Sequence, residues 1–346
     1  MKSQALKLLR CGVVGVGRMG RHHARLYTQV EGTELVGVVD ASAERRSAIV
    51  EEYGGAACAT VDELLALGVD AVTVAVPTVH HRAVAEPLLA RGVACLIEKP
   101  LAPDVTEARA LADAAARSGA VLQVGHVVRY DPVMVAIRAL SGLTPRFIEI
   151  DRISPMTFRS VDVGVVLDMM IHDIDLLLML VGREPDEVHA SAVSVLSEAE
   201  DVCNARLVFH AARAPDGRTL PDCVANITAS RLALKTERKI RVIGEDAYVS
   251  ADFVARTGTV VRKHANAAQL ADVRGRLQRN EDLSSLNFLE LVDIDTLEVG
   301  TGEPLRLQLE DFINAVRTGS RPQVDAEAGF AAVRTAERIV AAARPR

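Results

Sequence analysis

Tryptophan is absent from this 346-residue sequence, and aromatic residues of all kinds make up only 3% of it. The chain also has no dense run of lysine and arginine, and its formal net charge is −6. Proteins that bind nucleic acid use aromatic stacking surfaces and basic grooves. The composition therefore argues against a nucleic-acid partner.

Long apolar runs and paired cysteine motifs are missing as well. No stretch of about 20 apolar residues occurs, so no membrane-spanning segment is predicted. The five cysteines include no Cys-x-x-Cys, and their odd number favours buried thiols in a reducing compartment over disulfides or zinc. The first apolar run is short and broken by Arg18, which is typical of a strand and not of a signal peptide. We expect a cytoplasmic protein without a metal.

The most informative stretch that is present is a glycine-rich turn near the N-terminus. A short apolar strand leads into Gly15, Gly17 and Gly20, which have the spacing Gly-x-Gly-x-x-Gly and precede a helix-like segment. Such glycines permit a tight turn and let the backbone approach a pyrophosphate at the helix N-terminus. A second strand ends in Asp40, 20 residues past Gly20, where the dinucleotide fingerprint places a ribose-binding acid.

The residues around Asp40 also favour one cofactor over another. Its carboxylate can accept hydrogen bonds from the adenosine ribose hydroxyls and would repel a 2′-phosphate. Ala41 and Ser42 follow it in place of a phosphate-binding arginine, although Arg45 and Arg46 lie one turn further on. We therefore predict NAD as the cofactor, with NADP tolerance left open.

Hydrophobic patterning divides the chain into two parts. Unalternating apolar strands and helices alternate over residues 1–125, which is typical of a parallel sheet covered on both faces. From Glu187 to about Val261 successive strands follow one another without helices, which indicates mostly antiparallel pairing. The predicted fold class is α/β: a Rossmann domain at 1–125, then an α+β domain at 126–346 with a large, mostly antiparallel open sheet.

Several other elements of the second part have recognisable signals. Ala214–Gly217 reads as a hairpin turn, and the polar stretch His264–Ser285 reads as a loop or a helix on the rim. Two amphipathic helices, Leu305–Thr318 and Asp325–Ala343, close the chain. We expect these closing helices to pack back on the first domain.

Ligands of open α/β sheets bind outside the carboxyl ends of the strands. Five segments follow predicted strand ends and should meet there: Gly15–Gly20, Asp40, Pro77–His81, Glu98–Pro100 and Gly125–His126. From the residues alone, Lys99 is either a cation at the mouth of this crevice or a surface lysine paired with Glu98.

A second candidate site lies on the apolar helix predicted over Val163–Val181. At 100° per residue, Asp168, His172 and Asp175 fall on one side of that helix. Buried polar groups need partners or a function. The stripe is compatible with a structural network involving arginines, with catalysis, or with a metal, although no third metal ligand is obvious.

Taken together, these residues resemble a family. The glycine-rich turn, Glu98-Lys99-Pro100, Arg129-Tyr130-Asp131-Pro132 and Asp168-x-x-x-His172 occur in the order seen in Gfo/Idh/MocA oxidoreductases, and the resemblance covers essentially the whole chain. It implies that Lys99, Asp168 and His172 are the catalytic residues of the substrate site. Thr78 stands where many members have asparagine.

The resemblance also implies two sets of binding residues. Those for NAD are Gly15, Gly17, Arg18, Met19, Gly20, Asp40, Pro77, Thr78, His81, Glu98 and Lys99. Those for the substrate are His126, Arg129 and Asp175. A nucleotide-sugar also needs a cation for its diphosphate, and the candidates are Arg152, Arg159 and Arg231. Arg159 is preferred as a substrate-binding residue, because the polar loop at 154–162 leads straight into the predicted helix.

Three runs, at 162–168, 171–175 and 224–231, resemble the family members that oxidise the 3-hydroxyl of UDP-N-acetylglucosamine. Those members act with an aminotransferase on the way to the 3-amino sugars of lipid A. The implied activity is NAD-dependent oxidation of that hydroxyl to the 3-keto sugar. The alternatives are a free polyol or aldose as substrate, as for inositol dehydrogenases, or a non-catalytic dinucleotide-binding regulator.

An oligomer is the last expectation. A sheet with helices on one side only must meet solvent or another subunit with its other face. The pattern of Val188, Ala190, Ala192 and Ile227–Ala229 predicts a partly apolar open face. Family members commonly pair through this sheet, which implies a homodimer or homotetramer.

Overall fold

A computed structural model describes residues 8–157, 163–214, 217, 219–263, 267–282, 289 and 291–343. Arg159, predicted to bind substrate, lies outside the described residues. Across the parts of the chain that are described, no helix has both the length and the apolar character that a membrane crossing requires.

The first domain is built on six parallel strands. In chain order they are Leu9–Val14 (β1), Thr33–Val39 (β2), Ala56–Cys58 (β3), Ala71–Val74 (β4), Ala94–Ile97 (β5) and Leu122–Val124 (β6). Their order in the sheet is β3-β2-β1-β4-β5-β6. The helices that connect them are Arg18–Tyr27 (α1), Ala43–Tyr53 (α2), Val61–Ala66 (α3), His81–Ala90 (α4) and Val105–Ser118 (α5). The predicted Rossmann architecture is confirmed.

Local sequence signals account for most of these boundaries. Side-chain oxygens of Ser42, Thr60 and Asp104 cap α2, α3 and α5 by accepting a hydrogen bond from a backbone N–H in the first turn. Gly119 ends α5 in the left-handed conformation that favours glycine. The three-residue strand β3 was not predicted, because Ala-Ala-Cys is too short to show a period.

The second domain carries a mixed sheet of eight strands. Its strands are Pro145–Ile153 (β7), Glu187–Val193 (β8), Val202–Phe209 (β9), Cys223–Ser230 (β12), Glu237–Gly244 (β13), Ala247–Asp252 (β14), Thr257–Lys263 (β15) and Val292–Thr296 (β16). The order is β16-β15-β14-β13-β7-β12-β9-β8, and all neighbours are antiparallel except β7 and β12. A small hairpin of Ala212–Arg213 (β10) and Thr219–Leu220 (β11) stands at the predicted turn.

Five helices follow the first domain: Pro132–Ala139 (α6), Ile171–Val181 (α7), Ala267–Gln278 (α8), Pro304–Thr318 (α9) and Ala326–Ala343 (α10). Of these, α6, α7 and α10 pack against one face of the large sheet. The closing helices also contact the first domain: α9 contributes Phe312 and α10 contributes Phe330 to its apolar clusters. Within the polar stretch His264–Ser285, the described part contains α8.

The open face of the large sheet differs from the prediction. Val188, Ala190 and Ala192 point toward the helices and pack against the core, and Ile227 and Ala229 are fully buried there. The five residues named for the open face were wrong, because the period-two alternation was assigned to the opposite face. The open face is nevertheless partly apolar, since strand pairing aligns one apolar row across it: Val208, Val224, Phe147, Ile243, Tyr248, Val261 and Ile294. Polar pairs such as Asn204–Thr228, Arg206–Asn226 and Glu149–Arg241 lie beside this row.

The five cysteines are free and buried, as their pattern predicted. Burial raises the pKa of the Cys11 thiol to about 12 and that of Cys223 to about 11, so these thiols stay protonated. They act as small apolar side chains of the core.

Candidate functional site

The glycine-rich turn forms a cradle at the carboxyl end of β1. Gly15 has a φ of 85°, and a Cβ at Gly20 would lie 1.8 Å from the main-chain oxygen of Gly15. A Cβ at Gly17 would meet nothing within 4 Å, so the backbone there is open to a ligand. Gly17 caps α1 without a side-chain hydrogen bond, and no acid lies in the first turn, so the helix N-terminus suits an anion.

Asp40 lies beside this cradle at the end of β2. One carboxylate oxygen accepts a hydrogen bond from the Val16 N–H and the other from the Ser42 N–H, both at 2.9 Å. The Arg45 guanidinium approaches Asp40 Oδ1 to 3.4 Å. Gly15, Gly17 and Asp40 line one cavity of about 720 Å³. The backbone bonds fix the carboxylate at the place where the fingerprint requires a ribose partner.

The two histidines that follow β4 have different positions. His80, which the sequence analysis did not select, lines the cavity together with Pro77. His81, the predicted cofactor ligand, is only 1% exposed, and its ring nitrogens lie 3.0 Å from the Val76 oxygen and 3.2 Å from the Leu101 oxygen. Burial lowers the pKa of His81. The geometry favours His81 as a link between β4 and the segment after Pro100.

The other predicted cofactor residues stand close to the cradle. Arg18 and Met19 begin α1 directly after Gly17, and Thr78 follows Pro77 in the short 3₁₀ helix Thr78–His80. No contact of these side chains assigns them a role, so their part in cofactor binding stays a prediction.

Glu98 is held at the end of β5 by a residue that sequence reasoning missed. His23 of α1 is fully buried, and its Nε2 lies 3.0 Å from Glu98 Oε1. Although burial raises the pKa of Glu98, the hydrogen bond from His23 and the charge of Lys99 hold it below its ordinary value. A Cβ at Gly125 would lie 2.9 Å from Glu98 Oε2, so glycine is needed for β6 to end this close.

Lys99 reaches from the first domain into the second. Its Nζ donates to the main-chain oxygen of Asp168 at 2.6 Å and lies 3.4 Å from Asp168 Oδ1. Asp168 is part of a π-helical turn, Val166–Met170, that precedes α7, where a regular helix was predicted. Turns of this kind are frequent at functional sites. Both side chains keep partial exposure, 22% for Lys99 and 31% for Asp168.

His172 follows in the first turn of α7. Burial, and then the charges of Lys99 and Arg152, lower its pKa well below the ordinary value, so the imidazole is neutral at pH 7. His126, after β6, is 1% exposed, and burial lowers its pKa too. The two rings stand edge to face, with centroids 6.0 Å apart.

Other acids of α7 form buried ion pairs. Asp175 accepts two hydrogen bonds from Arg129, at 2.6 and 2.7 Å, and Asp173 accepts two from Arg152, at 2.6 and 2.8 Å. All four side chains are 9% exposed or less. Arg129 and Asp175 were predicted to bind substrate, but this geometry favours a structural role in which each neutralises the other.

Arg231, considered as a further cation for a phosphate, is likewise engaged in a buried network. Its guanidinium donates to Asp201 at 2.8 Å and to the main-chain oxygen of Val163 at 2.8 Å. It therefore joins the turn after β12 to the segment that leads into the π-helical turn. Within the described residues, no three His, Cys, Asp or Glu side chains are arranged to hold a metal ion.

The chain is similar to known proteins over most of its length. Residues 9–126 match an oxidoreductase family with an NAD-binding Rossmann fold, and residues 135–250 match the GFO/IDH/MocA C-terminal domain. The UDP-N-acetylglucosamine 3-dehydrogenase of Acidithiobacillus ferrooxidans is 35% identical over 308 residues, which cover 89% of this chain and 88% of that relative. The Inositol 2-dehydrogenase of Rhizobium meliloti is 31% identical over 55% of this chain and 60% of that relative.

A solved structure gives the same result. The UDP-N-acetylglucosamine 3-dehydrogenase GnnA from Acidithiobacillus ferrooxidans superimposes with a TM-score of 0.82 at 33% identity, covering 96% of this chain and 97% of that chain. The matching family is NAD-binding, and the cradle fits NAD, because Gly17 leaves room for a pyrophosphate and Gly20 allows the helix to pack closely on the turn. The chain belongs to the Gfo/Idh/MocA family of NAD-dependent oxidoreductases.

Proposed function

We propose that this enzyme oxidises the 3-hydroxyl of UDP-N-acetylglucosamine, or of a close nucleotide-sugar, to the 3-keto sugar. The observation that carries the proposal is the meeting of Lys99, Asp168 and His172, from two domains, at the carboxyl edge of the parallel sheet. The similarity over most of its length to a UDP-N-acetylglucosamine 3-dehydrogenase supports the choice of a nucleotide-sugar.

Oxidation of a carbinol needs a group that takes the hydroxyl proton as the hydride leaves carbon. A neutral His172 suits this role near pH 7, because burial and the neighbouring cations disfavour its protonation before substrate arrives. Its Nδ1 is buried without a partner among the described residues, and its Nε2 is not, so we assign the proton transfer to Nε2.

Lys99 is placed to act on the same oxygen. Asp168 occupies donors of the ammonium group through its main-chain oxygen and, at longer range, its carboxylate. Since an ammonium group has three donors, one remains for the substrate oxygen, where it would stabilise developing negative charge. Asp168 thereby orients Lys99.

The cradle residues Gly15, Gly17 and Gly20 would hold the pyrophosphate, and Asp40 the adenosine ribose. Bound NAD supplies the carbon that takes the hydride. Pro77, Glu98 and Lys99 follow strand ends at the same edge of the sheet and complete the proposed cofactor contacts.

Recognition of the nucleotide needs a cation near the sugar diphosphate. Arg159 is our candidate, because it stands shortly before the π-helical turn that carries Asp168. His126, which was also predicted to bind substrate, is only 1% exposed, so we do not assign it a direct contact with the substrate.

A free polyol or aldose is the second candidate substrate. The similarity to the Inositol 2-dehydrogenase of Rhizobium meliloti over 55% of the chain favours it. It is ranked lower because that match covers only 60% of the relative, whereas the match to the UDP-N-acetylglucosamine 3-dehydrogenase covers 88% of that relative.

The cellular context of the proposal rests on the same resemblance. A pathway aminotransferase would consume the 3-keto product on the way to a 3-amino sugar of lipid A. A homodimer or homotetramer through the open face of the second-domain sheet, and a cytoplasmic location, stay predictions. Light scattering at micromolar concentration tests the oligomer, and a monomer would contradict it.

The decisive measurement is the absorbance of reduced nicotinamide with four compounds: UDP-N-acetylglucosamine, free N-acetylglucosamine, myo-inositol and glucose. We expect reduction with the nucleotide-sugar, in the presence of an aminotransferase or a keto-acid that removes the product. Turnover of the free compounds without turnover of the nucleotide-sugar would show that the proposed substrate is wrong. It would favour a free polyol or aldose instead. Tight NAD binding without any reduction would indicate a regulator.

A further inference from the structure

A second histidine stands behind the proposed base with no hydrogen-bonding partner. His126 is 1% exposed, and neither ring nitrogen has a partner among the described residues. A buried polar atom left unpaired costs about 1–3 kcal/mol, and such groups in native proteins call for an explanation. Apolar packing alone does not explain an imidazole at this position.

His172 shares this feature. Its Nδ1 is also buried and has no hydrogen-bonding partner among the described residues, whereas its Nε2 is not buried in this way. The rings of His126 and His172 stand at 87° to one another, with centroids 6.0 Å apart. A water molecule that hydrogen-bonds to both rings, at about 2.8 Å from each, spans such a separation.

The charges around the two rings differ in their balance. Besides burial, the cations Lys99, Arg152 and Arg238 lower the pKa of His172. Burial also lowers the pKa of His126, but there Asp175 and Glu98 act against Arg129 and Lys99. A proton that moves from His172 to His126 therefore reaches a site where carboxylates offset part of the effect of the cations. The charged groups around the pair are Glu98 and Lys99 after β5, Arg129 after β6, Asp168 in the π-helical turn, Asp173 and Asp175 on α7, Arg152 on β7 and Arg238 on β13.

We propose that His126 and His172 form a two-imidazole proton relay, in which His126 stores the substrate proton. The relay rests on the proposed dehydrogenase function. The substrate O–H bond breaks, His172 Nε2 takes the proton, and the hydride passes from carbon to the oxidised nicotinamide. The Nδ1–H proton of His172 passes through one water to His126. After the ketone leaves, His126 returns its proton through the water to His172 Nδ1, and Nε2 releases the substrate proton to solvent, so the net products are ketone, reduced nicotinamide and one proton.

Two substitutions separate the relay from simple packing. His126→Gln keeps a hydrogen-bonding side chain that cannot titrate, and His126→Phe keeps a ring without nitrogens. We expect kcat to fall about tenfold or more in both, with KM for the alcohol and Kd for NAD within about twofold of wild type. A His126→Gln enzyme with wild-type kcat would show that only hydrogen bonding matters and would overturn the relay.

The pH profile gives a readout that packing does not move. In wild type both rings must be neutral, so the slope of log kcat against pH should approach about two on the acid side. His126→Gln should reduce that slope to about one and move the acid limb to higher pH, because a proton on His126 no longer opposes one on His172. If the acid side of the plot of log kcat against pH is the same in a folded His126→Gln variant as in wild type, the proposal is contradicted.

A third readout needs no turnover. Nitrogen-15 NMR of histidine-labelled protein should show His126 and His172 titrating as a coupled pair, and His172 titrating alone in His126→Gln. Independent titration of the two rings in wild type would overturn the relay.

The test also distinguishes the relay from the substrate proposal. If wild type fails with UDP-N-acetylglucosamine but oxidises a free polyol, the nucleotide-sugar is wrong, and the same pH profile measured on the polyol decides the relay. If wild type oxidises none of the compounds, both proposals fall.

Discussion

The cofactor end of the cleft is formed mainly by backbone groups, whereas the catalytic end is formed by titratable side chains. At the cofactor end, Gly15, Gly17 and Gly20 shape a backbone turn, and backbone amides fix Asp40. At the catalytic end, Lys99 and His172 belong to a cluster of titratable side chains that two domains supply. The first site is specified by local sequence, whereas the second exists only when the domains meet.

This difference sets how each end responds to change. A backbone cradle tolerates substitution of its surroundings but not a Cβ at its close contacts. A titratable cluster depends on the protonation and pairing of each member, because charges in a buried site influence one another strongly. Changes at the catalytic end should therefore affect rate and stability more than changes around Asp40.

The largest effect is expected at the junction of the two ends. Lys99→Ala should lower kcat by about a thousandfold or more, because it removes the charge that would stabilise the substrate oxygen. NAD affinity, measured by fluorescence titration, should stay within about threefold. Lys239→Ala, on the exposed second-domain sheet, is the control. Unchanged turnover in Lys99→Ala would contradict the assignment of Lys99 as a catalytic residue.

A smaller effect on stability is expected at the buried pair beneath the catalytic helix. Arg129→Met leaves Asp175 buried without a partner, so the free energy of unfolding in urea should fall by about 3–5 kcal/mol. Arg262→Met breaks the exposed pair with Asp295 and should cost about 1 kcal/mol or less. Arg129→Met with normal stability and a raised substrate KM would instead support the predicted substrate contact.

The histidines give the catalytic end a pH dependence. Burial lowers the pKa values of His81, His126 and His172 from 6.5, so between 6.5 and the lowered values the unfolded chain binds protons that the folded chain does not. Stability should therefore be lost as pH falls below 6.5, by about 1 kcal/mol per pH unit for each histidine. Urea unfolding at several pH values measures how steeply the free energy of unfolding depends on pH. His172→Gln should make that dependence less steep, because one of the three histidines no longer contributes. A flat profile would contradict neutral buried rings.

The smallest effect is expected at the cofactor end. Asp40→Asn removes the charge that opposes a 2′-phosphate, so the preference for NAD over NADP should fall about tenfold. Glu44→Gln, in the first turn of α2, removes a nearby charge and should leave the ratio of the two dissociation constants unchanged. Equal affinities for NAD and NADP in wild type would refute the stated preference.

The sequence predicted what local signals determine. The strand–turn–helix of the cradle, the caps of α2 and α5, and the two-domain order were confirmed, since glycine spacing and capping residues act over a few positions. The sequence could not distinguish the positions of His80 and His81, because adjacent residues differ by one step of rotation. Only the packed structure shows which imidazole lines the cavity.

Contacts between residues that are far apart in the chain could not be predicted from the sequence. The helical wheel placed Asp175 beside His172, but the wheel cannot show that Arg129, 46 residues earlier, neutralises Asp175. The π-helical turn at Val166–Met170 was also missed, because its amino acids suit a regular helix and the capture of the Asp168 oxygen by Lys99 is a tertiary contact. The same holds for His23 and Glu98.

The closing helix α10 has a consequence for the modularity of the chain. Its residues Phe330 and Val333 belong to an apolar cluster of the first domain, and Ala336 and Ile339 belong to that of the second. A fragment that ends at residue 125 would lack the part of its apolar core that α10 supplies. The fragment that begins at residue 126 would lack α5, which covers one side of α10. The boundary along the chain is therefore not a boundary between independently folding modules, and the two halves of the cleft are assembled in one cooperative step.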